Sequence, residues 1–210
     1  MLQLDFLEKE ALSAAGLERV GSIRRALDQV RQLVCDLQSF SRSEPAEVEL
    51  QSVRAEDVIL QSLRLADVRL RGSARIESVV SDALPNIRVS PRQLGQVLLN
   101  LLFNAVEALE EQRARGSDTT VDAFIRVTAQ ASGGRVLVAI EDNGPGIPAQ
   151  VMGRLFEPYF STKAEKGTGL GLALSREYID RFGGVLRAEN RAGGGARFVI
   201  DLPALYSAGE

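Results

Sequence analysis

The sequence predicts an α+β protein: a two-layer α/β sandwich, with a mixed sheet covered by three helices, preceded by an α-helical hairpin. Three observations carry this expectation. Strand-like and helix-like patterns alternate from about residue 44 onward. Glycine clusters at Gly133-Gly134 and Gly193-Gly194-Gly195 each separate two strand-like runs. A sustained seven-residue spacing of apolar side chains occupies residues 17–42.

The elements follow in order. Residues 2–14 read as a short helix, with Leu4 and Leu7 repeating as Ala11 and Ala14. Ala15-Gly16 is expected to break it from a longer helix over 17–42, where Val20, Leu27 and Val34 form one heptad series and Ile23, Val30 and Leu37 a second. That a/d spacing suits a bundle or coiled coil, and equally one buried face of an ordinary amphipathic helix. The second arm is about twice as long as the first, so the first arm is expected to continue upstream of Met1. Ser41–Glu47, with Pro45, reads as a linker, which divides the chain into a partial hairpin (1–43) and a second domain (44–210). In that domain Val48–Val53 is a short strand, and Asp57–Arg71 a helix with Val58, Leu65 and Val68 on one face. Arg75–Val80 and Ile87–Val89 are strand-like. Pro91–Glu111 is a strong helix, because Ser90 is a good N-cap and Pro91 suits the first helical position. Phe124–Ala129 and Arg135–Glu141 form a hairpin. Leu170–Phe182 is a helix that Gly183-Gly184 ends. Val185–Glu189 and Ala196–Leu202 form the last hairpin.

Composition narrows the chemistry. The 210 residues contain no histidine, which excludes His-based acid–base catalysis, Ser-His-Asp triads and His-ligated metals in this chain. One cysteine, Cys35, excludes an internal disulfide and a thiolate zinc site. The net charge of −3 argues against a nucleic-acid binder. No apolar run approaches the roughly 20 residues that a membrane span needs. Lysine occurs only three times, and Lys163 and Lys166 share one loop.

Four clusters carry candidate chemistry. Asn100 and Asn104 lie four apart, on one face of an otherwise apolar helix. Such amides need partners if buried, and can offer oxygens to hydrated Mg²⁺. Asp142, with Gly144, Gly146 and Ile147, follows an apolar strand. The segment reads as a tight turn, or as a carboxylate set to accept from a ligand while glycine backbone approaches it. Leu155–Lys163 concentrates Phe156, Tyr159 and Phe160, three of the chain's eleven aromatic residues. It would anchor a long loop. Gly167-Thr168-Gly169-Leu170-Gly171-Leu172 opens a helix. Glycines there can turn backbone N–H groups towards phosphates, or simply make a loop-to-helix junction.

In this order the clusters resemble the N, G1, F and G2 boxes of the catalytic ATP-binding domain of sensor histidine kinases. That domain belongs to the superfamily of gyrase B, MutL and the heat-shock chaperones and has the Bergerat-type ATP-binding fold. The resemblance covers about residues 44–204, and Leu33–Arg42 is similar to the second helix of the kinase dimerisation hairpin. It implies that Asp142 accepts a hydrogen bond from the adenine amino group, with Gly144, Gly146 and Ile147 against the base. Asn104, together with Asn100, is implied to hold Mg²⁺ on the phosphates. Gly167, Thr168, Gly169, Leu170, Gly171 and Leu172 would contact phosphates, with Phe156 and Phe160 anchoring a lid over 148–166. Lys163 is the implied lid cation, and Lys166 the alternative. The implied partners are ATP or ADP, a response regulator receiver domain and, through the hairpin, a second copy of the chain. The implied location is cytoplasmic, without contact to nucleic acid or membrane by this chain, whether or not its parent is anchored.

The pattern also departs from that family. The acceptor histidine and its His-Glu-x-x-Asn-Pro setting are absent, which is expected from truncation; a natural scaffold without an acceptor is the alternative. A gyrase- or MutL-like ATPase is disfavoured, because the residue four before Asn104 is Asn100, and a neutral amide is no general base.

Overall fold

The structure, a computed structural model, describes residues 16, 19, 20, 23, 49–70, 74–116, 123–161 and 168–205. The chain divides into two compact units, Met1–Ala46 with Lys163–Thr168, and Glu47–Thr162 with Gly169–Glu210. Most of the expected helical hairpin lies outside the described residues. Gly16, Arg19, Val20 and Ile23 are helical. Ala15 and residues 17 and 18 lie outside the described residues, and with them the break expected at Ala15-Gly16.

The second unit is a seven-stranded mixed sheet with helices packed on it. Its elements are β1 (Gln51–Arg54), α1 (Ala55–Leu70), β2 (Arg75–Val80), β3 (Asn86–Val89), α2 (Pro91–Ala114), β4 (Phe124–Ser132), β5 (Arg135–Asp142), the single turn α3 (Ala149–Met152), α4 (Gly171–Arg181), β6 (Val185–Asn190) and β7 (Ala196–Leu205). The strand order is β1-β3-β7-β5-β4-β2, and β6 pairs with β7 on the edge that β3 continues. Among the described strands only β2 and β4 pair in parallel, with Glu77 opposite Arg126. That pair is joined by an ion pair at 2.9 Å.

The expected two-layer arrangement is present. Ile125, Val127 and Ala129 of β4, Val136, Val138 and Ile140 of β5, and Phe198, Ile200 and Leu202 of β7 alternate inward. They meet the stripe Leu94, Val97, Leu98, Leu101, Leu102, Ala105, Val106 and Leu109 of α2. The Ser90 hydroxyl caps α2 by accepting from the Gln93 N–H at 3.4 Å. The helix runs to Ala114, past the expected Glu111, because no breaker occurs before Gly116.

One face assignment needs correction. In α1 the buried stripe is Ala55, Val58, Ile59, Ser62 and Ala66, and Leu65 is 57% exposed. The stripe is centred between Val58 and Ile59, and a heptad step falls about 20° short of two turns. Leu65 is carried past the edge.

The turns behave as their glycines require. Gly133 and Gly134 both have positive φ (56° and 77°) between paired Ser132 and Arg135. This is the two-residue hairpin that matches strand twist. The C-terminus of α4 closes with the Gly184 N–H on the Ile179 carbonyl (2.9 Å) and the Gly183 N–H on the Asp180 carbonyl (3.0 Å).

Candidate functional site

One row of α2 organises the site. Asn100, Asn104 and Ala108 follow one another at four-residue steps, about 12 Å in all, beside the buried stripe. Asn100 meets the start of α4. Its Nδ2 donates to the Ser175 hydroxyl at 3.0 Å, and that hydroxyl donates to the Gly171 carbonyl at 2.8 Å. A methyl on Gly171 would sit 2.6 Å from Asn100 Oδ1, so a larger residue would have to displace the Asn100 amide where the two helices meet. Ala108 meets the loop after β5: a methyl on Gly144 would lie 3.5 Å from its Cβ. Asn104 lies between these contacts, half-buried, and its amide makes no hydrogen bond among the described residues.

Asp142 ends β5 on the inward-facing side and is only 3% exposed. Its Oδ1 accepts from the Gly144 N–H (2.8 Å) and the Ala196 N–H (3.2 Å). Both bonds use one oxygen. Burial raises its pKa above the usual aspartate value, while the two N–H donors and the nearby Arg191 cation oppose the rise. A buried carboxylate that keeps an acceptor oxygen beyond its structural bonds is suited to a ligand N–H.

The loop that follows is held from outside. Asn143 Oδ1 accepts from the Phe124 N–H at 2.8 Å. The Asn190 side chain clasps Ile147 at both polar atoms, accepting from its N–H at 2.7 Å and donating to its carbonyl at 2.8 Å. Arg191 Nη1 donates to the carbonyls of Asp142 and Gly194, each at 2.9 Å. Gly195 (φ 90°) presses its Cα against the Asp142 main chain. Sequence reasoning missed Asn190 and Arg191. The adjoining glycine triplet signalled only a turn.

The aromatic segment and the glycine-rich segment meet through backbone. A methyl on Gly169 (φ 68°) would lie 2.5 Å from the Tyr159 carbonyl carbon and 2.7 Å from the Phe160 nitrogen. Tyr159 is the non-glycine residue with positive φ (63°) among those described, and its ring is exposed. Phe156 and Leu155 pack on the core, as an anchor should. Arg154 lies over the Phe160 ring at 4.4 Å, and Arg176 over the Phe156 ring at 5.3 Å. Leu170 precedes α4 without a side-chain cap, unlike Ser90 before α2. The first-turn N–H groups of α4 therefore have no capping side chain as acceptor. Leu170 is buried, and Leu172 is half-buried against the core. Thr168 is half-exposed. Lys163, Lys166 and Gly167 lie outside the described residues. The structure thus gathers Asn100, Asn104, Asp142, Gly144 and Gly171 around one helix.

Comparison with known proteins bears on family and fold. Residues 89–205 match the family described as histidine kinase-, DNA gyrase B- and HSP90-like ATPase. The sensor histidine kinase ZraS of Escherichia coli O157:H7 is 33% identical over 200 residues, covering 94% of this chain and 41% of that protein. The signal transduction histidine-protein kinase AtoS of E. coli K12 is 36% identical over 190 residues, covering 89% of this chain and 29% of that protein. The chain thus spans less than half the length of these relatives. Among solved structures, full-length ShkA in complex with AMPPNP is similar at a TM-score of 0.71 and 30% identity, over 99% of this chain and 42% of that one. The catalytic domain of histidine kinase ThkA is similar at a TM-score of 0.62 and 26% identity, over 74% of this chain and 96% of that one. With the family match running over residues 89–205, more than half of the chain, from the end of β3 through β7, the chain belongs to the histidine kinase-, DNA gyrase B- and HSP90-like ATPase family.

Proposed function

We propose that this chain is the catalytic, ATP-binding region of a two-component sensor histidine kinase. It would move the γ-phosphoryl group of Mg·ATP to a histidine, for relay to a response regulator receiver domain. The chain has no histidine, so the acceptor imidazole belongs to another segment or another chain. The observation that carries the reading is Asp142: a buried carboxylate at a strand end, with both backbone bonds on one oxygen.

In this reading the second oxygen of Asp142 accepts from the adenine amino group. Gly144 and Gly146 let the loop lie against the base, with Ile147 on the same loop and Phe156 and Phe160 anchoring the lid. Phosphates lie towards the start of α4, where the N–H groups from Gly169 to Leu172 face them, with Gly167 and Thr168 leading in. Lys163, with Lys166 as alternative, supplies a cation from the lid. These residues position the γ-phosphoryl group and offset its charge, which is most of what phosphoryl transfer asks of a protein.

Among the described residues no group of three or more His, Cys, Asp or Glu could hold a metal ion. A divalent ion here would take phosphate, water and amide oxygens, the ligand set that suits Mg²⁺. The amide of Asn104 fits this role. The Asn100 amide nitrogen is already committed to Ser175, so only its oxygen can contribute. Bound Mg²⁺ would neutralise phosphate charge. No helix among the described residues is long and apolar enough to cross a membrane. A cytoplasmic location and dimerisation through the helical region complete the proposal.

The experiment supplies the chain with ATP labelled at the γ-phosphate, Mg²⁺ and a separately expressed histidine-containing dimerisation domain. Acid-labile, base-stable label on that domain is the expected result. Bound ATP with no transfer to any such domain would overturn the kinase reading in favour of a non-catalytic ATP-binding module.

A further inference from the structure

We propose that the β6–β7 turn is a positioning element for nucleotide recognition, with Asn190 and Arg191 fixing the main chain at the two ends of the Asp142–Ile147 loop. The inference rests on Asp142 being the adenine acceptor. Neither residue is placed to touch the base; both act through the loop.

The loop is short and rich in glycine, with Gly144 and Gly146 among its six residues. Such a segment loses more backbone freedom on ordering than others do. What orders it comes largely from the turn. At the first end, Arg191 Nη1 binds the Asp142 carbonyl and ties it to the Gly194 carbonyl. The Ala196 N–H binds Asp142 Oδ1 at 3.2 Å, so the turn fixes both the main chain and the side chain of the acceptor. The guanidinium is itself held, 5.2 Å from the Phe124 ring centroid and 3.6 Å from the Glu141 carboxylate. At the second end, Asn190 makes the two hydrogen bonds to Ile147 that a neighbouring strand would otherwise make. Its Oδ1 also fills the space beside Gly146, where a methyl would lie 2.9 Å away. The turn is held in register by β6 pairing with β7, with Asn190 opposite Ala196. A shift of that hairpin would move both ends of the loop together.

The test compares ATP with inosine triphosphate, which carries an oxygen in place of the adenine amino group. Binding of each is measured by calorimetry to the chain, to Asn190→Asp and to Arg191→Lys. Asn190→Asp keeps the shape but replaces the donor to the Ile147 carbonyl with an oxygen. Arg191→Lys keeps the charge but loses the planar guanidinium that lies over Phe124 and aims the two Nη1 hydrogens at the Asp142 and Gly194 carbonyls. ATP affinity is expected to fall roughly tenfold in Asn190→Asp and several-fold in Arg191→Lys, with inosine triphosphate nearly unchanged, so that discrimination collapses. Equal losses for both nucleotides, or no loss for either, overturn the inference. If Asn190→Asp does not fold, Arg191→Lys decides it alone. An unmodified chain that does not prefer ATP removes the Asp142 reading and this inference with it. A chain that prefers ATP, with variants that do so equally, removes this inference only.

Discussion

Three consecutive glycines in the β6–β7 turn make a graded experiment. Gly193 has an ordinary φ, and nothing lies within 4 Å of a methyl built on it. Gly194 has φ of 88° with equally open space, so alanine there meets only backbone strain, on the order of 1–3 kcal/mol. Gly195 has φ of 90° and no space at all: a methyl would run into the Asp142 carbonyl oxygen, 2.7 Å from its carbon and 2.9 Å from Asn143 Cα. Those are main-chain atoms and cannot swing aside, so overpacking adds about 1–3 kcal/mol to the strain. Gly193→Ala should leave stability within about 0.5 kcal/mol. Gly194→Ala should lower the melting midpoint by several degrees, and Gly195→Ala by roughly 10 °C, taking about 2–4 °C per kcal/mol for a chain of this size. Thermal unfolding followed by circular dichroism measures this. ATP titration of the same proteins should show weakened binding for Gly195→Ala alone, because only that methyl displaces Asp142. Equal behaviour of Gly194→Ala and Gly195→Ala in both assays would refute the claim that this turn bears on the carboxylate.

Other perturbations separate binding roles from structural ones. Asp142→Ala should cost ATP about 1.5–3 kcal/mol, or about 10- to 150-fold in affinity, as measured by calorimetry. Asn104→Ala should abolish the Mg²⁺ dependence of binding with little change in melting midpoint, because its amide holds nothing within the described fold. Asn100→Ala should lower stability by about 0.5–1.5 kcal/mol through the lost bond to buried Ser175, and weaken the Mg²⁺ dependence less than Asn104→Ala does. The pKa of Asp142 is raised by burial from 3.8. The native state therefore holds that proton more tightly than the unfolded chain. The contribution of Asp142 to stability is full below 3.8 and is lost as pH rises through the raised native value. Asp142→Asn should become progressively more stable than the parent over that rise, by denaturant unfolding without nucleotide. The preference for ATP over inosine triphosphate should fade as pH drops through the same value in the parent.

The fold was legible where local chemistry is strong. Pro91 after Ser90, the alternation along β4 and β5, and the glycines at 133–134 and 183–184 each specify one backbone outcome. Boundaries were less legible, because pairing and packing set them. β4 runs on to Ser132 because β5 pairs with it as far as Arg135. The heptad misplaced Leu65 because α1 turns its stripe towards Ile59. At the site, Asp142, Asn104 and the glycines were readable as a spaced set. The reason for particular glycines was not: Gly169 is required by the Tyr159–Phe160 main chain, and Gly171 lies against the Asn100 amide, contacts that the spacing of the glycines does not show. Asn190 and Arg191 were invisible for the same cause. Each acts across 43 or more residues, on main-chain atoms that carry no sequence signature.

The most direct test of the account is a calorimetric titration of this chain with ATP, with and without Mg²⁺. The account predicts micromolar binding that strengthens with Mg²⁺. No binding under either condition would contradict it, leaving Asn100, Asn104 and Asp142 as packing alone.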